Sequence, residues 1–389
     1  MRNVAYPYIH STGFWRVFSA LVLLGLATGC DNFFRQAEKR AKAADDADEI
    51  LLAIVDSSST PSRFAQGAAL AIEEFNDSNA IEQKLIAKYY DDEGKIDKTS
   101  RLARKLARDE DMAAVIGHLS PATAMVASII YERAGLVLVT PSPTQVGLVR
   151  HGARFIFRNI PSDETFARKA ADYVQRHQYK KVAIVHDQEL STRHLAKLFY
   201  WAINDTDDVA VTIDQLYFSR ATDYQALIAR VKSADFDVLF LGSRLPQGAN
   251  MIKQLRALGI SAPIVGGIEL DFHQLQDVAG KAAEDTTIIT VFNPGRPRDV
   301  TRNFVRRFRK KYGAEPDTWA ALGYDAVKLL AQAISEGKSH KPLIMATMLR
   351  FIKDWQGVTN AYEMTLDGHI LTQEVFFKTL KNGAFTFTE

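Results

Sequence analysis

Residues 115–144 read VIGHLSPATAMVASIIYERAGLVLVTPSPT, and the order of residue types along them decides the fold. Ala113 to Ile116 is a short aliphatic run that stops at Gly117, as a strand buried on both faces does. Ser120 then stands at a helix N-cap, with Pro121 as the first helical residue. The serine hydroxyl accepts a free backbone N–H there, and the proline has no N–H to leave unpaired. Ala122 to Tyr131 continues as helix, and Leu136 to Val139 is a second aliphatic run followed by Thr140-Pro141-Ser142-Pro143-Thr144. Strand, helix and strand form one step of a parallel sheet, with a polar loop leaving the C-terminal end of each strand. Ligands bind at those ends in open α/β sheets, and a helix N-terminus can capture a carboxylate. Each loop fits plain helix capping equally well.

The same step recurs on both sides of this stretch. Leu51 to Val55 precedes a helix-spaced Phe64 to Phe75, and Leu85 to Tyr90 precedes Lys98 to Arg108. A second series begins after Phe155 to Arg158. It comprises helix Asp163 to Arg176, strand Val182 to Val185, helix Thr192 to Ile203, strand Val209 to Leu216, helix Tyr224 to Lys232, strand Val238 to Leu241, helix Gly248 to Leu258 and strand Ile264 to Val265. Helices return from Val300 to Tyr312 and from Trp319 to Glu336, and the chain ends on alternating runs at Tyr362 to Leu366 and Val375 to Thr379. The expected architecture is α/β: two doubly wound parallel-sheet lobes joined by a multi-crossing hinge. Lobe 1 is expected to span 50–160 plus 290–363, and lobe 2 to span 161–289 plus 364–389.

The chain has 389 residues, with 48 Lys+Arg against 46 Asp+Glu. Both excess positives, Arg2 and Arg16, lie in a segment expected to be removed, which leaves a neutral body. A neutral body lacks the basic field that nucleic acid requires, so no nucleic-acid partner is expected. A single cysteine, Cys30, excludes an internal disulfide and a cysteine-based zinc site. Residues 1–29 read as a signal peptide: Arg2 and Arg16, an apolar run from Val17 through Leu26, then the small residues Ala27, Thr28 and Gly29. That run is roughly ten residues, whereas a membrane-spanning helix needs about 20.

Leu26-Ala27-Thr28-Gly29-Cys30 resembles the lipobox of bacterial lipoproteins, although Ala27 stands where Leu or Val is usual. That resemblance implies lipidation of Cys30, and Asp31 resembles the signal that keeps such proteins at the inner membrane. The expected location is therefore the periplasm, anchored to the inner membrane by lipidated Cys30. An ordinary signal peptide with an incidental cysteine, or an uncleaved anchor, is the competing reading. Residues 30–49, rich in Ala and charge, read as the lipidated cysteine and a tether or loose helix.

Catalytic motifs are absent: the sequence holds no GxSxG, HExxH, P-loop or GxGxxG. His186 and His194 lie eight apart across a loop and read as surface or loop histidines, while Asp91-Asp92-Glu93 reads as a solvated strand end. In the basic run from Arg302 to Lys311, Phe304, Val305, Phe308 and Tyr312 fall at helical spacing, which makes them a buried stripe beneath a wet charged face. Without a nucleophile, base and orienting residue together, no enzyme activity and no cofactor or metal are expected.

Residues 115–144, with Tyr90-Asp91-Asp92, Lys181 to Asp187 and Tyr324-Asp325-Ala326, closely resemble the leucine/isoleucine/valine-binding proteins, the type I periplasmic binding proteins of ABC importers. The resemblance spans about 50 to 389 and implies two lobes that close on an amino acid. It matches Ser142 and Thr144 to residues that hold the ligand's polar groups. The serine that usually binds the carboxylate matches Pro121, which has neither hydroxyl nor N–H. Ser120, Ala122 and Thr123 are the substitutes within that loop. On the second lobe, Ser191 and Arg244 stand where the family carries tyrosines, and Glu269 matches the acid that pairs the ammonium. Arg244 favours a carboxylate-bearing ligand, or else is a rim arginine paired to Asp187 or Glu269. Trp319 and Phe64 supply aromatic walls. The resemblance thus implies a monomeric solute-binding protein serving an ABC permease, the alternative being a ligand sensor or adaptor of the envelope that keeps the fold without transport.

Overall fold

The computed structural model describes residues 36–58, 62–142, 152–206, 208–220, 224–371 and 374–388. The proposed signal peptide, Cys30 and Thr144 lie outside the described residues. The chain begins with helix α1 (36–45) and continues β1 (Glu49–Asp56), α2 (Phe64–Ser78), β2 (Lys84–Asp91), α3 (Ile96–Arg108), β3 (Met112–Gly117), α4 (Pro121–Ala134), β4 (Val137–Thr140) and β5 (Ile156–Arg158). These five strands form one sheet in the order β2-β1-β3-β4-β5, parallel throughout. Its inner strands β3 and β4 are buried at every position because helices cover both faces, and the short edge strand β5 is buried as well. Edge strand β2 carries exposed Lys88 and Tyr89.

The second sheet is built from β6 (Lys181–Asp187), β7 (Ala210–Tyr217), β8 (Val238–Gly242), β9 (Ile264–Gly266), β10 (Thr286–Thr290), β13 (Phe376–Lys381) and β14 (Ala384–Thr388). Its order is β14-β13-β10-β9-β8-β6-β7, with β13 and β14 added antiparallel. Helices α5 (Asp163–Arg176), α6 (Leu190–Asn204), α7 (Gln225–Ser233), α8 (Gln247–Ala257) and α9 (Gln274–Ala279) accompany it. The chain then returns to the first sheet through α10 (Asp299–Tyr312), α11 (Thr318–Gly337), α12 (Pro342–Arg350) and the hairpin β11 (Trp355–Gln356) and β12 (Ala361–Tyr362). Residues 364–371, expected with the second sheet, stay beside the first: the Gly368 carbonyl accepts from Arg158 N at 2.9 Å, and Met364 N donates to Ile352 O at 3.0 Å. The last crossing therefore falls after residue 371.

Helix α11 fits against α2 only because glycines meet there. A Cβ on Gly67 would lie 1.9 Å from Ala320 O, and one on Gly323 would lie 2.4 Å from Phe64 O. Asp325 on the same helix is fully buried and accepts from Val358 N, Thr359 N, Thr359 Oγ1 and Tyr362 Oη at 2.6–3.0 Å, stapling α11 to the loop before β12. In α10, Phe304, Val305 and Phe308 are buried while Arg307 pairs with Glu74 and Lys311 with Glu73, as the helical spacing implied.

Three sequence expectations change. The segment read as a tether or loose helix is docked: Arg40 of α1, 2% exposed, donates to the carbonyls of Leu106, Ala107, Asp109, Met112 and Ala134. It satisfies carbonyls that helix ends leave without partners. Burial brings its pKa down to about 10 against the pull of Asp109, Glu110 and Asp111. Asp92 is not solvated but fully buried, with Oδ2 at 2.8 Å from His118 Nδ1, while His118 Nε2 lies 3.1 Å from the Tyr131 hydroxyl. His186 is also buried, near the end of β6, 2.9 Å from the Asp187 carbonyl and 3.4 Å from Asp214.

Candidate functional site

Strand ends of the two sheets face each other across a narrow cleft. From the first sheet side come Ser57, Leu119, Ser120, Pro121 and Trp319; from the second come Arg244, Leu245, Glu269 and Phe272. The space between them is about 20 Å³, room for little more than one water. The lobes are shut.

The loop after β3 is shaped by its backbone. Gly117 has φ +137°, where a Cβ would strike Val55 O at 2.1 Å, and His118 follows at φ +58°. The turn delivers Ser120 as N-cap of α4 and Pro121 as its first residue, as the sequence implied. The cap consumes its own hydroxyls: Ser120 Oγ accepts from Thr123 N at 3.3 Å and lies 2.8 Å from Thr123 Oγ1, which donates to Ser120 O at 3.0 Å. Ser120 lines the cleft, Thr123 is buried behind it, and Ala122 faces outward. Ser142, after β4, is fully buried, and among the described residues its hydroxyl has no partner.

On the opposite side Asp187 at the end of β6 organises the lining. Its carboxylate accepts from Glu189 N at 3.0 Å, Ser243 Oγ at 3.1 Å, Arg244 N at 3.4 Å and the Thr192 hydroxyl. This fixes the backbone that presents Arg244. Among the described residues the Arg244 guanidinium has no ion-pair partner, so the pairing with Asp187 or Glu269 is not made through the side chain. Glu269 follows Gly266-Gly267, and its carboxyl folds back over Gly267, where a Cβ would lie 2.6 Å from Oε2. Burial and the charge of Asp163 push its pKa up to about 7, with Arg244 opposing. Asp163, the first residue of α5, is itself raised by burial to about 6 against Arg158, and its Oδ2 has no partner among the described residues.

Trp319 on α11 closes one wall, as implied, but as part of an inter-lobe contact that the sequence did not suggest. Its Nε1 donates to Asp271 O at 2.8 Å, and its ring stacks on Phe272 at 4.5 Å and 12°. Asp271 also accepts from Thr318 Oγ1 at 2.7 Å and pairs with Lys378, while Arg63 meets His273 across the same seam. Two expected residues stand apart. Phe64 is buried at the α2–α11 contact against Gly323 and is not among the cleft-lining residues. Ser191 sits half-buried in the first turn of α6, also outside the lining. Ser57, Leu119, Leu245, Asp271 and Phe272 are additions. Ser57 was foreshadowed by its place just after the first strand; the others carry no signal beyond ordinary core and loop composition.

Two α/β lobes meet across a cleft that carries a buried carboxyl and a guanidinium. The chain belongs to the periplasmic binding protein family, whose model matches residues 55–384. It is similar to a leucine-specific-binding protein of Salmonella typhimurium, 29% identical over 315 residues, covering 78% of this chain and 84% of the relative. A Leu/Ile/Val-binding protein homolog 1 of Brucella abortus is 28% identical over 289 residues, covering 73% of this chain and 76% of the relative. Among solved structures, an ABC transporter substrate-binding protein of Desulfitobacterium hafniense in complex with Leu superposes with a TM-score of 0.79 at 29% identity, covering 87% of this chain and all of that one. The family and these relatives are binding proteins, not enzymes, and family membership carries an extracytoplasmic solute-binding role. Among the described residues no helix is long and apolar enough to cross a membrane.

Proposed function

We propose that this protein is a lipid-anchored solute-binding protein that captures a small polar ligand, an amino acid or related amide or carboxylate, and delivers it to an ABC permease. The observation that carries the reading is the shut cleft, in which Arg244 and Glu269 face a shared space and, among the described residues, form no ion pair. Cys30 would hold the chain at the inner membrane after removal of residues 1–29, and the protein would act as a monomer. The lobes proposed to close are 50–160 with 290–371 and 161–289 with 374–388. Ser120, Ser142, Arg244, Glu269 and Trp319 are the residues proposed to meet the ligand, with Thr144 completing the polar loop.

The test is a thermal-shift screen of the full chain against all amino acids, small amides and dicarboxylates. A ligand at about 100 times its dissociation constant stabilises a protein by roughly 2.7 kcal/mol. A hit supports the reading; a flat screen of folded protein refutes it. Pro121 at the carboxylate position favours a second reading, an envelope sensor or adaptor that retains the fold. Recovery of permease components in a co-purification decides for transport.

A further inference from the structure

Recognition of a zwitterion requires one group that holds a carboxylate and another that holds an ammonium or amide. The first-sheet side of this cleft supplies neither charge: Ser57, Leu119, Ser120, Pro121 and Trp319 are its lining residues. At the α4 N-terminus, Pro121 removes one donor, and Thr123 N is already bonded to Ser120 Oγ. The hydroxyls of Ser120 and Thr123 satisfy each other, and Trp319 Nε1 is spent on Asp271 O. The anion-binding capacity of that helix end is therefore largely used internally.

Both charges sit on the other lobe. Arg244 follows β8 and Glu269 follows β9, neighbouring strands of one sheet, so the two residues leave adjacent strand ends. They line the same cavity of about 20 Å³ yet form no ion pair with each other. A guanidinium and a carboxyl that share so small a space without bonding are normally costly to bury. The backbone of Arg244 is held by Asp187, and the carboxyl of Glu269 is seated over Gly267. The positions are built even though the charges are not paired.

We propose that the ligand's carboxylate is held by Arg244, so that the ligand lands first on the Arg244–Glu269 lobe and the first lobe closes over it as an uncharged lid. This rests on the solute-binding reading and names its substrate class: a small carboxylate that also carries an N–H donor for Glu269. The stack of Phe272 on Trp319 bounds the cavity.

Titration calorimetry on the full chain tests it with the L-amino acids as probes, each that binds then being compared with its carboxamide and with the corresponding deaminated acid. For the wild type, the amide binds roughly ten- to a hundredfold more weakly than the acid, the scale of a lost charge-assisted pair. Arg244→Ala reduces acid binding by a similar factor and reduces amide binding far less. Acid and amide binding the wild type equally, a comparison that needs no variant, overturns the inference. So does an Arg244→Ala protein, folded by its melting curve, that binds the acid like wild type. If no amino acid binds the wild type, the amino-acid reading itself falls, a result separate from equal binding of acid and amide.

Discussion

Replacing Glu269 with glutamine should make the ligand-free protein more stable at neutral pH and flatten its pH dependence. Burial, helped by Asp163 and Asp187 and opposed by Arg244, raises the Glu269 carboxyl from 4.5 to about 7. Between those values the folded chain retains a proton that the unfolded chain has released. Stability therefore falls as pH rises through the window. At about 1.4 kcal/mol per unit, the penalty is about 3 kcal/mol near pH 7.5 and about 1.4 kcal/mol near pH 5.5. Glutamine has no such penalty, although its buried amide forfeits about 1 kcal/mol in unmade hydrogen bonds. Calorimetric melting of both proteins without ligand reads the difference. Between about pH 5.5 and 7.5 the wild type loses about 2 kcal/mol more than Glu269→Gln does, a divergence of about 2.5 °C for a chain of this size. At His186 burial is the largest single effect, but the bonds to Asp214 and the Asp187 carbonyl with the charges of both aspartates together raise the pKa; this contribution also falls with rising pH, is present in both proteins and cancels. Parallel pH profiles would refute the assignment of an unpaired, buried carboxyl to the cleft.

Gly323→Ala drives a methyl into the backbone of Phe64, and urea titration should show a loss of about 2 kcal/mol or more, against less than about 1 kcal/mol for Gly313→Asn at an open turn whose positive φ asparagine tolerates. Asp325→Ala strands the donors of Val358, Thr359 and Tyr362 and should cost about 3–5 kcal/mol by the same assay. Asp271→Ala removes acceptors for Thr318 and Lys378 on opposite lobes; small-angle scattering without ligand should report a larger radius of gyration than wild type, and an unchanged radius would show that the Phe272–Trp319 stack, the Trp319 bond to the Asp271 carbonyl and the Arg63–His273 contact suffice to keep the lobes shut.

The alternation of strands and helices was legible because burial on both faces forces strands such as Met112–Gly117 to be continuously apolar, while helices such as Asp299–Tyr312 keep a wet face. Ser120 and Pro121 marked the start of α4 because capping chemistry is local. Short or edge elements were less legible. Helix Pro342–Arg350 and strand Ala384–Thr388 were not anticipated, since neither has the length or the apolar continuity that sets a pattern. At the cleft, the positions of Arg244, Glu269 and Trp319 followed from the family resemblance, and the structure brings them together. What sequence could not give was partnership. Asp92 reads as one of three surface acids until His118 is brought to it, and Phe64 reads as a pocket wall until Gly323 of a helix more than 250 residues away takes its place beside it.

The docked Arg40 gives the molecule a mechanical polarity. Any load arriving along the chain from before residue 36 enters α1 and passes through the carbonyl clamp at Leu106, Ala107, Asp109, Met112 and Ala134 into the body that carries β3 and α4. That body is the stator. The other lobe joins it through the crossings and the seam at Asp271, Phe272 and His273 and is the rotor, so in the proposed opening Arg244 and Glu269 would swing while Ser120 and Trp319 keep a fixed bearing to α1.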